Sequence, residues 1–183
     1  MTSPGLEEII GDAERIREFY STFIDTIGQI IIQHKGKILP TVDGLMSYFP
    51  KTKDLTKVAA IKDVLECCLQ QIERRQSLSN ELSHKELPKV SYRVTADFGE
   101  VLLGTQISKS MEFAFTVPLI SKIGGKMPTN ALVLGRDFYE KINALSRLNE
   151  EYIFEAIGEY IDTRREGPYS LYSLSRRPKL DLT

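Results

Sequence analysis

Tryptophan is absent from the chain, and histidine and cysteine occur twice each. The cysteines are the adjacent pair Cys67-Cys68, inside a stretch with helical patterning. Neighbouring helical side chains diverge by about 100°, so the two are poorly placed to bridge each other. His34 and His84 stand far apart in sequence, and no zinc-type spacing arises. Partly buried, reduced thiols are the expectation. One-sided charge is missing too: 24 Lys and Arg stand against 25 Asp and Glu, a net charge of −1. Such a balance offers no electrostatic footprint for nucleic acid or an anionic membrane. No apolar run approaches the ~20 residues that span a bilayer. The opening "MTSPGLEEIIGD" has neither the basic start nor the apolar core of a signal peptide. The expected setting is the cytoplasm, with no membrane span and no nucleic-acid partner.

What is present is 42% hydrophobic and 27% charged residues over 183 positions, the make-up of a soluble globular protein. Residues 1–183 are read as one domain. Residues 13–34 place Ile16, Phe19, Tyr20, Phe23, Ile24, Ile27, Ile30 and Ile31 at i, i+3/i+4 spacing, which predicts an amphipathic helix with a wide apolar face. Asp12 is its expected N-cap and Gly36 its expected C′ residue. Next, "KILPTVDGLMSYFP" (37–50) sets two apolar runs around Asp43-Gly44, a strong hairpin signal because both residues tolerate positive φ. A second long helix is expected from Asp54 to Leu82. Two strand-like runs follow, "VSYRVTADF" and "EVLLGT"; in the first, Tyr92, Val94, Ala96 and Phe98 alternate with Arg93, Thr95 and Asp97. "FTVPLISKIGG" reads as a short helix, "ALVLG" as a strand and "RDFYEKINAL" as a helix. Strands near 151–161 and 168–174 close the order. This mixture predicts an α+β sandwich, with helices packed on a mostly antiparallel sheet.

Together these segments resemble the class III adenylate/guanylate cyclase catalytic domain over nearly the whole chain. "GDAERIREFYSTFIDTIGQIIIQHKGKI" looks like that family's first helix, and "TVDGLMSYFP" like its Ile-Gly-Asp-Gly hairpin. "YRVTADFGEVLLG" looks like its Arg-Ile-Gly-Ile-His-x-Gly-Glu-Val hairpin, and "EAIGEYIDTRREGPYSLYSL" like its closing strands. The resemblance implies a ferredoxin-like, nucleotide-cyclase-like sandwich whose opening strand is absent from this chain. Met1-Thr2-Ser3 look like the remains of the turn after that strand, so the strand and its aspartate would fall upstream of residue 1. The family's chemistry is attack of the ribose 3′-oxygen on the α-phosphate of ATP or GTP, giving a cyclic nucleotide and pyrophosphate. Two Mg or Mn ions held by two aspartates assist it, at sites formed between two subunits.

Carried onto this chain, the resemblance makes Asp43 a metal ligand as well as a turn residue. Leu39 stands where a Lys reads the base, and Phe115 where a second residue reads it. Pro118 replaces the catalytic Asn. Lys122 stands at the Arg position, keeping the charge without the bidentate fork. Val42 replaces a Gly, and its branched side chain would crowd a phosphate. Losing transition-state contacts of this kind costs several kcal/mol of barrier in total. The expectation is therefore a catalytically degenerate cyclase-homology domain, a signalling module that regulates or senses nucleotide. It would act as a homodimer, or as a heterodimer with another cyclase-type domain. An active cyclase making a cyclic nucleotide from ATP or GTP is one alternative. A dimerisation or protein-interaction domain without nucleotide binding is the other. Asp97 is expected to be structural or solvent-facing, Arg93 a face residue, and Glu7 and Glu8 simply suit a helix N-terminus.

Overall fold

Two long helices lie against one face of a four-stranded sheet, and the apolar stripes in the sequence explain why. The computed structural model describes residues 9–41, 44–54, 57–99, 103–105, 112–114, 130–161 and 167–178. Helix α1 (Ala13–Gln33) buries Phe19, Phe23, Ile27, Ile30 and Ile31 of the expected stripe and half-buries Ile16 and Tyr20, but Ile24, at the edge of the stripe, stays 41% exposed. Asp12 caps it, its carboxylate accepting from the Arg15 N–H at 3.1 Å. Strands β1 (Lys37–Thr41) and β2 (Gly44–Tyr48) form the expected antiparallel hairpin, with Lys37 opposite Tyr48 and Leu39 opposite Met46.

Helix α2 (Val58–His84) begins four residues later than the sequence suggests. Pro50–Lys53 form a 3₁₀ turn, Asp54 adopts extended backbone (φ −96°, ψ 95°) and Lys57 is a non-helical N-cap (ψ 77°), so the helical path starts only at Val58. The two helices run antiparallel. Lys35 at the end of α1 pairs with Asp63 early in α2, while Lys85 at the far end of α2 reaches Glu18 and the Thr22 hydroxyl of α1. His34 and Gln70 add a 2.8 Å hydrogen bond between them.

Beyond α2 come β3 (Val94–Ala96), β4 (Leu103–Thr105), β5 (Glu112–Ala114), β6 (Leu132–Gly135), α3 (Arg136–Asn143), α4 (Leu148–Glu151), β7 (Tyr152–Tyr160) and β8 (Tyr169–Arg176). The main sheet has the order β3-β6-β8-β7, parallel only at β3–β6. Among the described residues, β1–β2 and β4–β5 are separate two-stranded sheets. The expected strand over 90–98 shrinks to β3, although Tyr92 and Val94 keep their inward alternation. Strand β5 had no counterpart in the sequence reading, and the helix expected from "FTVPLISKIGG" lies outside the described residues.

The main core gathers α1, α2, β3, α3 and the inner face of the sheet, including Phe19, Ile61, Leu65, Leu78, Leu134 and Ile142. Each such side chain contributes roughly 1.5–3 kcal/mol by leaving water. A smaller cluster, Val133, Tyr160, Tyr169 and Leu171, lies on the other face. A β-bulge makes this possible. Tyr152 and Phe154 point inward, and strict alternation would send Tyr160 the same way. Ile157 is the extra residue between the pairs Ala156–Tyr172 and Gly158–Leu171, so Tyr160 changes face and meets Tyr169.

Ionic contacts bind α2 to the last two strands. Tyr152, almost fully buried, donates to Glu66 at 2.5 Å, and Arg176 bonds both Glu66 and Glu73. Burial pushes the Glu66 carboxyl up, but the bonds from Arg176 and Tyr152 outweigh it and hold the group below its ordinary value. Cys67 and Cys68 are both buried in α2 and free. Burial pushes the Cys67 thiol up to about 11 and Cys68 further, so neither acts as a nucleophile.

Both long helices end in the same way, and the ending corrects the expected role of Gly36. The Gly36 N–H bonds the Ile31 carbonyl and the Lys35 N–H bonds that of Ile32, a Schellman pattern in which Lys35 (φ 67°) is the left-handed residue. Glu86 (φ 56°) fills the same place after α2, where Leu87 bonds the Leu82 carbonyl. Gly36 is needed for space: a Cβ there would sit 2.7 Å from Ile31 Cγ2 and 2.9 Å from the Phe49 ring. Lys35→Gly is expected to raise the unfolding free energy by about 0.5 kcal/mol, relieving the left-handed strain at the cost of one exposed ion pair. Gly36→Ala is expected to lower it by roughly 1–3 kcal/mol through overpacking. Urea unfolding of the two variants checks both signs.

Candidate functional site

The most completely built polar cluster among the described residues is the junction of β3, β6, α3 and β8. Helix α3 starts at Gly135, an N-cap with no side chain to accept the first free N–H groups. Other elements supply the acceptors. Asp97, just after β3, accepts from the Phe138 N–H at 3.3 Å and from the Phe98 N–H at 2.9 Å. Tyr169 of β8 donates its hydroxyl to the Asp97 carboxylate at 2.7 Å and accepts the Asp137 N–H at 3.0 Å. Gly135 must be glycine because the Asp97 carboxyl occupies the space of a Cβ, which would lie 2.4 Å from Asp97 Cγ. Asp97 is thus a cap borrowed from a neighbouring strand. Arg136 covers the Tyr169 ring, 4.9 Å from its centroid.

Burial of Asp97 disfavours its charge and outweighs the hydrogen bonds from Tyr169 and Phe98, so its carboxyl titrates above the ordinary value. Tyr169 is pushed up as well, by burial and by the negative charges of Asp97 and Asp137.

The positions singled out by the resemblance fall elsewhere. Leu39 sits in β1, 4% exposed. Its neighbour Ile38 packs on the main core, so Leu39 faces the opposite side of the strand. It has no polar atom to offer a base. Asp43, Val42, Phe115, Pro118 and Lys122 lie outside the described residues. Arg93 is half-buried, one residue before β3. Among the described residues no three His, Cys, Asp or Glu side chains come close enough to hold a metal ion. The sequence reading missed the joint role of Gly135 and Tyr169; the short "LVLGRD" strand-to-helix junction without a Ser, Thr or Asp cap was the available signal.

The borrowed cap makes a test. Asp97→Ala is expected to cost about 1–3 kcal/mol by leaving α3 uncapped. Gly135→Ser alone is expected to destabilise by steric conflict with Asp97. In the Asp97→Ala background the new serine supplies the missing acceptor in freed space, so the double variant should exceed additivity by about 1 kcal/mol. The pH sign also follows. Because the folded-state pKa of Asp97 is raised, its contribution is fully present below the unfolded-state pKa and is lost as pH rises through the folded value. The stability of wild type relative to Asp97→Asn should therefore fall across that window, as read by urea unfolding at a series of pH values.

No protein-family model matches the sequence, and no curated protein matches it. Solved structures do. The guanylyl cyclase Cya2 superposes with a TM-score of 0.72 at 11% identity, over 98% of this chain and 91% of that one. The adenylyl cyclase CyaB from P. aeruginosa gives 0.73 at 12%, over 96% and 90%. An adenylate/guanylate cyclase/hydrolase from Silicibacter pomeroyi gives 0.59 at 17%, over 93% and 90%. At such low identity what is shared is the path of the backbone, and the chain has the fold of class III nucleotide cyclase catalytic domains.

Proposed function

We propose that this chain is a cyclase-homology domain that has lost catalysis and works in signalling, by pairing with a second cyclase-type domain. The observation that carries the reading is Leu39. The position at which the resemblance expects a base-reading lysine holds an apolar side chain that is 4% exposed. A buried leucine offers neither a hydrogen bond nor a charge to a purine.

The substituted positions support it. Pro118 has no side-chain donor for the ribose, Phe115 has none for the base, and Val42 puts a branched side chain where the resemblance expects a glycine. Lys122 keeps a positive charge without a two-pronged grip. Removing one preorganised donor to a transition state costs about 100-fold or more in rate. Several removed together leave little turnover. Asp43 remains a ligand for Mg or Mn delivered with a nucleotide, and a homodimer or heterodimer is the assembly in which a composite site would form.

Incubation with ATP or GTP and Mn²⁺, following both binding and cyclic product, tests this reading. The expected result is no product above a blank. Binding without product, lost in Asp43→Ala, supports nucleotide sensing. Absence of binding leaves a protein-interaction domain, and product above the blank overturns the reading in favour of an active cyclase.

A further inference from the structure

The near-zero net charge of the chain conceals an uneven distribution. The antiparallel packing of α1 and α2 brings the end of α1, the open end of the β1–β2 hairpin, the 3₁₀ turn and the start of α2 to one end of the protein. Lys35 follows α1 and reaches Asp63 of α2. Lys37 opens β1 opposite Tyr48 and lies over its ring. Lys51 and Lys53 belong to the 3₁₀ turn that starts two residues after Tyr48. Lys57 is the N-cap of α2. Arg147 joins them from the α3–α4 link, where it lines a shallow hollow of about 200 Å³ with Val58, the first residue of α2.

All six cations are exposed. The carboxylates beside them are Asp63, paired with Lys35 at 2.6 Å, Asp54, paired with Lys57 at 3.1 Å, and Glu150, so three acids stand against six cations and the end keeps a positive excess. The far end of the helix pair differs: Arg15, Arg17, Lys85 and Lys89 are balanced there by Asp12, Glu14, Glu18, Glu81 and Glu86.

We infer that this basic end is a docking surface for an anionic phospholipid bilayer. Three features favour a bilayer over a folded acidic partner or a nucleic acid. The cations come from five separate segments and sit on long flexible stems, so they define a broad area of charge without a fixed register. Exposed apolar groups stand among them: Ile32, 57% exposed, accepts the Lys35 N–H on its carbonyl, and Pro50 begins the 3₁₀ turn. A lipid surface takes both, with lysines at the phosphates and an apolar side chain at the headgroup boundary. No row of exposed aromatic rings is present among the described residues at this end for stacking on bases.

The contact is peripheral, since no described helix is long and apolar enough to cross a membrane. It is independent of nucleotide binding and does not depend on the reading of the cyclase site.

Co-sedimentation of the full chain with vesicles tests the surface. On vesicles of about 30% phosphatidylserine in phosphatidylcholine, binding should exceed that on pure phosphatidylcholine by roughly tenfold at low salt. It should fall by a similar factor when salt is raised well above 0.1 M, because the Debye length shrinks below ~10 Å. The reversal pair Lys51→Glu/Lys53→Glu should abolish the difference, and the far-end pair Arg17→Glu/Lys89→Glu should leave it within about twofold. All four side chains are exposed, and circular dichroism confirms that each variant is folded. Equal binding to both vesicle types, equal loss from the two reversal pairs, or binding to RNA but not to vesicles overturns the inference.

Discussion

The Asp97 carboxylate, held under Gly135 and against Tyr169, is the contact on which the centre of the structure turns. It lies where the inner and outer apolar clusters come closest, because β6 contributes Leu134 to one and Val133 to the other before the chain turns at Gly135 into α3. A half-buried carboxylate is costly unless its lone pairs are engaged. Here two backbone N–H groups and one phenol engage them, from three segments distant in sequence. The same contact forbids any side chain at Gly135, and it fixes Tyr169 on the outer face. Tyr160 then needs the bulge at Ile157 to reach Tyr169. Cap, glycine, tyrosine and bulge are consequences of one charge placed inside.

This chain of dependence explains which parts of the fold were legible in the sequence. Helix α1 was, because burial on one face writes a 3.6-residue period that needs no knowledge of partners, and Asp12 capped it as expected. The hairpin was legible as two apolar runs about a turn signal, although Gly44 belongs to β2, paired with Thr41, and not to the turn. Gly36 was misjudged for the opposite reason. Its requirement comes from the Phe49 ring thirteen positions away, and the local rule that puts glycine at C′ hid the left-handed Lys35. The bulge left no mark, since alternation before and after Ile157 looks regular on either side. Asp97 was expected on a strand and lies one residue beyond β3, and its role as a cap depended on residues 41 and 72 positions later.

The candidate nucleotide site divides along the same line. Shape is retained at 11–17% identity in the superposed cyclases because a sandwich needs only apolar residues at the right period and a few turns. Chemistry needs named polar atoms at named places, and substitution there leaves the backbone unmoved. Leu39 illustrates the separation. A leucine in β1 serves the strand as well as a lysine would, and serves the burial better, so selection for stability alone does nothing to keep a lysine where the resemblance expects one. A fold of this kind survives the loss of its site at no structural cost, and the resemblance of segments therefore informs on architecture more firmly than on turnover.

Charge behaves differently from both. A count over the sequence gives −1 and argues against an anionic-membrane footprint, but a sum discards position. Position is supplied by topology. Two antiparallel helices and a hairpin carry residues 35–37 and 51–57 to one end, and the chain's acids pair along the helices: Glu66 and Glu73 with Arg176, Glu151 with Lys62. Those pairs serve the union of α2 with the last strands and are unavailable to offset lysines at the tip. Local excess arises because the internal contacts consume carboxylates elsewhere. Net charge limits solubility and long-range steering, whereas the field that a partner meets at contact is set within a Debye length, by the few side chains that the fold has left facing it.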